Sequence, residues 1–445
     1  MRPDLRTAGT VAAALAAAIF LVRASDVAAG PANPDLGLIA GVMQLVQQDY
    51  VHPIDSDRLT EDALKGMLGH LDQHSYYMSE REFRQSSQDL SGEFGGIGLK
   101  IEDRNGVATV VSPVDGTPAA QAGLQPGDII VAVDGRATHG ADLMQVVSEV
   151  RGKPGSSVRL GIVRGGKAPI EVTVTRRIIE VKSVNSKLEP GDIGYVRIRE
   201  FGGDTPREVK RAIAELERNA GGNLKGLMLD LRDDPGGLLS SAIDVAGDFL
   251  DGGTVVSVHG RRRSDDAVFK APARGDMLPH TPVGVLINSG SASASEIVAG
   301  ALQDRHRATV MGTQSFGKGS VQTLIRIKGH GALRLTTALY YTPSGRSIQG
   351  EGISPDEVVE AAKDQQVANS PIWRESQLQG AFKNPGPLTQ VKAAPSASAA
   401  AVAAYSPPIK ESLIGTAQDM QLSAALDLLR HPAENSARQA SQSSG

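Results

Sequence analysis

The stretch NSGSASASEIVAGALQDRHRATVMGTQSFGKGSVQ, residues 288–322, predicts a connected unit of fold and chemistry. A turn of small residues leads into an apolar helical pattern, a short strand follows, and a lysine then stands between two glycines. Backbone N–H groups at the start of a helix point outward, and the helix dipole favours negative charge there. A developing oxyanion needs that environment. The stretch therefore suggests a serine nucleophile at the helix start, with Lys318 as its base.

The residues alone leave the nucleophile open. Ser291, Ser293 and Ser295 are rivals, and their spacing does not choose among them. Ser293 also stands three residues before Glu296, the pattern of a capping box, so it could serve only to start the helix. A lysine can take the proton of a serine only where burial or nearby positive charge lowers its pKa. A Ser–Lys hydrolase and an α/β binding protein are therefore both compatible with the stretch.

Three further groups fit the hydrolase hypothesis by position. Lys318 and Gln322 share one face of an extended segment, so the glutamine amide could orient the lysine amine without adding charge. The backbone N–H of Ala294, with a second from Gly236 or Gly237 in the sequence DDPGG, could form the oxyanion site.

Strands alternate with helices around this stretch. Strands are predicted at 193–201, 224–232, 254–260, 282–290 and 308–313, and helices at 205–219, after the turn at 233, and at the serine turn. This alternation predicts an α/β layer around a largely parallel sheet, with the ligand site at the carboxyl ends of its strands. Thr205 is expected to cap the first of these helices. Residues 320–327 and 332–342 predict a β-hairpin after Lys318.

Between residues 92 and 177 the chain has short strands, glycine turns and two predicted helices at 117–124 and 141–150. This order, the AGLQPGD turn and the GIGL loop resemble a PDZ domain. In that family the loop binds a C-terminal carboxylate through backbone N–H groups, and the peptide adds as a strand beside the second helix. The loop residues are Gly96, Ile97, Gly98 and Leu99.

The N-terminus has the pattern of a signal peptide. Arg2 and Arg6 precede an apolar run at 11–22 and small residues that end at Ala29. Because Arg23 interrupts the usual order, an uncleaved anchor is the alternative. We expect a periplasmic or other extracytoplasmic protein, with possible anchoring to the inner membrane. A net charge of -4 gives no reason to expect nucleic acid binding, and the absence of cysteine excludes disulfides and thiol catalysis.

Helices are also predicted near both ends of the chain. Two amphipathic helices are expected early, the second with a possible cap at Thr60, and one late helix at 416–430 could dock on a neighbour. The predicted domains are 1–29 (signal peptide or anchor), 30–91 (helical segment), 92–177 (PDZ domain), 178–362 (protease core) and 363–445 (Ala/Ser/Pro-rich tail with the late helix).

Residues 38–356 resemble the carboxyl-terminal processing proteases, the tail-specific serine peptidases of family S41. The likeness lies in GSASASEI, FGKGSVQT, DLRxxPGGLL and the inserted PDZ domain. It implies a ClpP/crotonase-like α/β protease core with an inserted PDZ domain and an N-terminal helical segment. It also implies a serine endopeptidase acting on proteins or peptides with exposed C-termini, and no metal, nucleotide or organic cofactor. A homo-oligomer is expected, and an adaptor protein is possible.

Position by position, the resemblance makes Ser293 the nucleophile, Lys318 the general base and Gln322 the support of the lysine. It implies that Asp304, eleven residues after Ser293, and Arg307 brace the site.

The PDZ domain is expected to gate the site, with Arg151 as a candidate for a charge contact between domains. The alternative function is an inactive PDZ scaffold that binds C-terminal peptides. Two departures from the family pattern are Gln73 in LDQHS, where proline is common, and Asp233 and Asp234, where asparagine is frequent. A carboxylate near Lys318 would raise the pKa of the lysine.

Overall fold

The computed structural model describes residues 23–24, 34–84, 93–104, 106–114, 116–138, 140–141, 143–180, 182–367, 374–388 and 409–430. These residues fall into two compact units, one within residues 84–182 and the other from segments 1–83 and 183–445. The predicted signal segment lies outside the described residues apart from Arg23–Ala24. Within the described ranges, no helix combines the length and apolar composition that crossing a bilayer requires.

The helices with described bounds are, in chain order, α1 (Pro34–Asp49), α2 (Ser56–Leu68), α3 (Pro118–Gln121), α4 (Leu143–Val150), α5 (Thr205–Asn219), α6 (Leu239–Gly247), α7 (Ala294–Asp304) and α8 (Met420–Arg430). The strands are β1 (Arg23–Ala24), β2 (Tyr76–Met78), β3 (Glu93–Gly96), β4 (Leu99–Arg104), β5 (Val107–Pro113), β6 (Ile129–Val133), β7 (Arg136–Ala137), β8 (Ser157–Val163), β9 (Ile170–Thr175), β10 (Arg177–Glu180), β11 (Val184–Glu189), β12 (Ile193–Ile198), β13 (Gly226–Asp230), β14 (Thr254–Gly260), β15 (Ala267–Lys270), β16 (Val283–Ile287), β17 (Ala308–Gly312), β18 (Ser320–Arg326), β19 (Ala332–Tyr341) and β20 (Glu357–Val358).

The main sheet of the large unit has the order β11-β12-β13-β16-β17-β20, and only its β11–β12 pair is antiparallel. Every residue of β12, β13 and β16 is buried, as expected for strands covered on both faces. Helices α5, α6 and α7 contribute to the core on one face. Helix α8, within the predicted late helix, covers the other face with Leu422, Ala425, Leu426 and Leu429. The late helix therefore docks on the sheet of its own chain.

A second sheet of the large unit has the order β1-β18-β19-β14-β15, with β2 also paired to β19. The predicted hairpin of β18 and β19 is confirmed by their antiparallel register. The prediction that residues 254–260 belong to the parallel layer is wrong, because β14 pairs antiparallel with β15 and β19. Its four consecutive buried residues resemble a parallel core strand, and such a run does not identify the partner strand.

Two predicted helix caps are also wrong. The cap of α2 is Asp55, whose side chain accepts from the N–H groups of Asp57 and Arg58, both at 3.0 Å. Thr60 lies one turn inside that helix. The cap position of α5 is Asp204, so Thr205 is its first helical residue. In both cases a polar residue just upstream takes the cap position.

The small unit contains a sheet in the order β4-β5-β6-β8-β9, with β7 paired to β6, and a two-stranded sheet of β3 and β10. Its own apolar core includes Val146 and Val150 of α4 beside strand residues such as Ile130, Leu160 and Ile162. The predicted strand-rich module with two helices is thus present, although α3 has half the length of its predicted range and α4 starts two residues later than predicted.

Candidate active site

The turn before α7 separates the three rival serines by their environment. Ser291 is 0% exposed, and its hydroxyl donates to Leu231 O at 2.7 Å. Ser295 is also 0% exposed, and its hydroxyl donates to Asp234 O at 3.0 Å. Ser293 is only half-buried, and its φ of +56° lies in the left-handed region that a serine rarely adopts. The structure thus commits two hydroxyls to backbone contacts and leaves Ser293 partly accessible to solvent.

Lys318 lies just before β18 and is half-buried. Its amine donates to Gln322 Oε1 at 2.7 Å, and Ser320 O and Oγ lie farther away, both at 3.4 Å. Burial, followed by the positive charge of Arg334, lowers the pKa of Lys318 to about 8. The predicted lysine–glutamine contact is therefore present. Three carboxylates act on the pKa in the opposite direction: Glu375, Glu296 and Asp72.

A single carboxylate, Glu296, connects the serine turn to the lysine loop. Its Oε2 accepts from the backbone N–H groups of Ser293 at 2.8 Å and Lys318 at 2.9 Å. Its Oε1 accepts from Ser315 Oγ at 2.6 Å and Gly317 N–H at 2.7 Å. Burial raises the pKa of Glu296 to about 7, although these hydrogen bonds favour the ionised form. The capping-box pattern indicated the contact with Ser293, whereas nothing in the local sequence indicated the contacts with the lysine loop.

The glycine turn after β13 approaches the serine turn closely. A Cβ added to Gly236 would lie 2.8 Å from Ala294 N and 2.9 Å from Ser293 Cβ, so a larger residue would not fit. The Gly236 N–H donates to Asp234 Oδ1 at 2.8 Å. The structure therefore brings the predicted oxyanion residues together, but it engages the N–H of Gly236 in its own turn.

Gly237 is held in a different way. Phe201 N–H donates to Gly236 O at 2.8 Å, and Leu238 N–H donates to Phe201 O at 2.7 Å. This parallel bridge between Phe201 and Gly237 uses the groups on either side of Gly237, so the N–H of Gly237 points away from Phe201. Ala294 opens α7, and its N–H is one of those with no partner inside the helix.

Burial changes the pKa of both aspartates in the DDPGG turn. Burial raises the pKa of Asp233, and it raises the pKa of Asp234 well above its usual value. Asp233 also accepts from Asn288 Nδ2 at 2.9 Å, which connects the ends of β13 and β16. The carboxylates that act to raise the pKa of Lys318 are instead Glu375, Glu296 and Asp72.

Asp304 and Arg307 lie at the carboxyl end of α7 and brace other loops. Asp304 Oδ2 accepts from Ser344 N–H at 2.9 Å. Arg307 pairs with Asp276 and donates to Leu278 O at 2.6 Å. These contacts join the end of α7 to neighbouring turns and do not include the serine or the lysine.

Comparisons with known proteins identify the family of the chain. The model of peptidase family S41 matches residues 192–359, which contain both the glycine turn and the lysine loop. A carboxy-terminal-processing protease from Bartonella bacilliformis is 46% identical over 351 residues, which cover 78% of this chain and 80% of that protein. The chain belongs to the carboxy-terminal-processing proteases of peptidase family S41.

Other relatives of this S41 protease are more distant. A probable CtpA-like serine protease of Staphylococcus aureus is 36% identical over 334 residues, covering 75% of this chain and 66% of the relative. Among solved structures, a photosystem II D1 C-terminal processing protease is 28% identical, with a TM-score of 0.44 and coverage of 74% of this chain and 94% of its own. A PDZ model matches residues 109–164. The predicted family, and the predicted α/β protease core with an inserted PDZ domain, are confirmed.

The PDZ domain of this S41 protease contains an apolar groove between β4 and α4. Gly98 has φ +74°, and a Cβ there would lie 2.3 Å from Thr117 Cβ, so the loop requires glycine. The groove is lined by the four predicted loop residues, by a residue of β4 and by residues at the end of α4 or just after it: Gly96, Ile97, Gly98, Leu99, Ile101, Val147, Val150 and Arg151. Arg151 therefore lies in the same groove as the predicted carboxylate loop.

Proposed function

We propose that this S41 protease is an exported endopeptidase that binds C-terminal tails of proteins in its PDZ groove and cleaves upstream through an acyl-enzyme on Ser293. The observation that carries the proposal is that one carboxylate accepts from the backbones of both a strained, partly accessible serine and a lysine whose pKa is lowered to about 8. Glu296 holds the backbone of both residues, so the two loops are kept in a fixed relation.

The mechanism begins with the neutral amine of Lys318, which accepts the hydroxyl proton of Ser293 as the oxygen attacks the scissile carbonyl. The negative oxygen of the tetrahedral intermediate is stabilised by the N–H groups of Gly237 and Ala294, at the positive end of α7. The protonated lysine then gives its proton to the leaving amine. Water, activated by the same lysine, hydrolyses the acyl-enzyme and releases the carboxylate product.

Substrate recognition is proposed to use the PDZ groove. An extended tail would add beside β4, with its terminal carboxylate at the N–H groups of the Gly96–Leu99 loop and its apolar side chains toward Val147 and Val150. The predicted role of Arg151 as a charge contact with the protease core stays a prediction. Export through the N-terminal segment, assembly into homo-oligomers and use of an adaptor protein are also proposals.

The test is cleavage of a reporter protein with an apolar C-terminal tail by the wild type and by Ser293→Ala and Lys318→Ala. Ser264→Ala, at an exposed position, is the matched serine control. Both site variants should lose cleavage, and a serine-reactive probe should label Ser293 in the wild type. Equal cleavage by all variants would refute the dyad, and tail binding without cleavage by the wild type would favour an inactive scaffold. Amidation of the reporter C-terminus should weaken cleavage, and an unchanged rate would refute carboxylate capture.

A further inference from the structure

We propose that Asp72 is a positioning residue of the catalytic lysine, because it fixes through Thr336 the direction in which the Gln322 amide faces Lys318. The inference rests on the proposed Ser293–Lys318 mechanism and adds a residue from the LDQHS segment between α2 and β2. That segment is far from the lysine in sequence, and side chains of Asp72 and Ser75 bond to Thr336 of β19 in the structure.

Asp72 is the acceptor at the centre of a small network. The residue is 7% exposed. Its Oδ1 accepts from His74 N–H at 2.8 Å and Thr336 Oγ1 at 3.0 Å, and its Oδ2 accepts from Ser75 Oγ at 2.6 Å. An ionised carboxylate can only accept hydrogen bonds. The single hydroxyl proton of Thr336 is therefore directed to Asp72, and the hydroxyl oxygen is left as an acceptor.

The direction of the Thr336 hydroxyl determines the orientation of the Gln322 amide. Because the Thr336 oxygen accepts, the group facing it must be the amide NH₂ of Gln322, and Nε2 lies at 3.3 Å. The same NH₂ donates to Ser320 Oγ at 3.0 Å. The amide oxygen is thereby turned toward Lys318, where it accepts from the amine at 2.7 Å. The two ends of an amide have almost the same shape, so the hydrogen-bond partners decide its orientation.

The orientation matters because the base needs a free lone pair. A neutral amine that donates one N–H to the Gln322 oxygen keeps its lone pair for the proton of Ser293. If the amide were reversed, its NH₂ would donate into that lone pair and compete with the serine proton. Asp72 thus acts on the reaction through Thr336 and Gln322 without contact with the substrate. We call the hydrogen-bonded series Asp72–Thr336–Gln322 the relay.

The test compares hydroxyl deletions on one strand. Thr336→Val removes the relay hydroxyl, Thr336→Ser restores one, and Thr337→Val is the matched control because the hydroxyl of Thr337 pairs with Thr323 Oγ1 at 2.6 Å, outside the relay. We expect Thr336→Val and Asp72→Asn to lower kcat by about 10- to 100-fold, since misplacement of a catalytic group by about 1 Å has that effect. KM should stay within about two-fold of the wild type, because the relay does not contact the substrate.

Three results would overturn the relay: equal kcat for Thr336→Val and Thr337→Val, no recovery in Thr336→Ser, or additive losses in the Asp72→Asn/Thr336→Val double variant. Residues that act through one path should give a double variant no slower than its slower single variant. Failure of the relay can be distinguished from failure of the proposed function. If Ser293→Ala and Lys318→Ala abolish cleavage while Thr336→Val does not, only the relay is refuted.

Discussion

Lys318 should reduce the stability of the fold near neutral pH, and replacing it by methionine should reveal that cost. Its pKa is about 8 in the folded protein, against 10.5 for an ordinary lysine. The folded pKa is the lower one, so the unfolded chain binds more protons between these values. The contribution of Lys318 to the free energy of unfolding therefore rises as the pH increases through this window.

The size of the effect follows from the same two values. One pKa unit corresponds to about 1.36 kcal/mol, so moving from about pH 7 to about pH 9.5 should raise the stability by about 2 kcal/mol. Because Lys318 is only half-buried, solvent screening should reduce this toward about 1 kcal/mol. Methionine keeps the length of the side chain without its charge. In the methionine variant the oxygen of Gln322 loses its donor, and this lowers the stability by the same amount at both pH values. The loss therefore cancels when the two pH values are compared.

The assay is urea denaturation followed by circular dichroism at both pH values, for Ser293→Ala and for Ser293→Ala/Lys318→Met. The serine substitution prevents self-cleavage in both proteins, and the titration of Glu296 is common to them. The single variant should gain about 1 to 2 kcal/mol relative to the double variant between pH 7 and pH 9.5. A difference in unfolding free energy between the two variants that is the same at both pH values would refute a lowered pKa of Lys318. A gain in stability by the methionine variant relative to the single variant would refute it too.

Three other outcomes are expected. The kcat/KM for a tailed reporter should rise with pH through about 8, as Lys318 loses its proton, and a rate independent of pH between 6 and 9 would contradict this. Glu296→Gln should lower kcat by about 100-fold, because Oε2 accepts from Ser293 and Lys318 while Oε1 accepts from Ser315 and Gly317, and an amide can accept at only one end. Full labelling by a serine-reactive probe would count against this role. Asp419→Ala should reduce the unfolding free energy by about 1 to 3 kcal/mol, since buried N–H groups of Arg232 lose their Asp419 acceptor while Asp230 still pairs with the guanidinium. A loss below about 1 kcal/mol in urea denaturation would show that solvent reaches Arg232.

Local sequence patterns predicted the parts of the structure that depend on residues close together in the sequence. The helix after the serine turn, the β18–β19 hairpin and the apolar face of α8 all appear where periodicity and turn residues placed them. The contact between Lys318 and Gln322 was predictable because an extended strand places alternate residues on one face. These features depend on spacings of two to four residues, which a sequence displays directly.

The features that were missed depend on contacts between distant segments. The apolar run of β14 predicts a buried strand, but its partner is decided by sheet assembly, and the parallel layer was the wrong choice. The early segment was predicted to be helical, and the short strand β2 that follows α2 forms only because β19 provides an edge. The link from Asp72 to Gln322 spans two segments that no local pattern connects. Such contacts become visible only when the fold brings the segments together.

The site combines a lysine that must lose its proton with three carboxylates that act to raise its pKa, Glu375, Glu296 and Asp72. Asp72 and Glu296 each accept at least three hydrogen bonds from N–H or O–H groups, so their charge is spread over donors other than the amine. Arg334 lies two residues before Thr336 on β19 and lowers the pKa of Lys318 from the same face. One strand thus supplies both the positive charge that favours a neutral lysine and the hydroxyl that directs its glutamine. The carboxylates can therefore orient the base while burial and Arg334 keep its proton easy to lose.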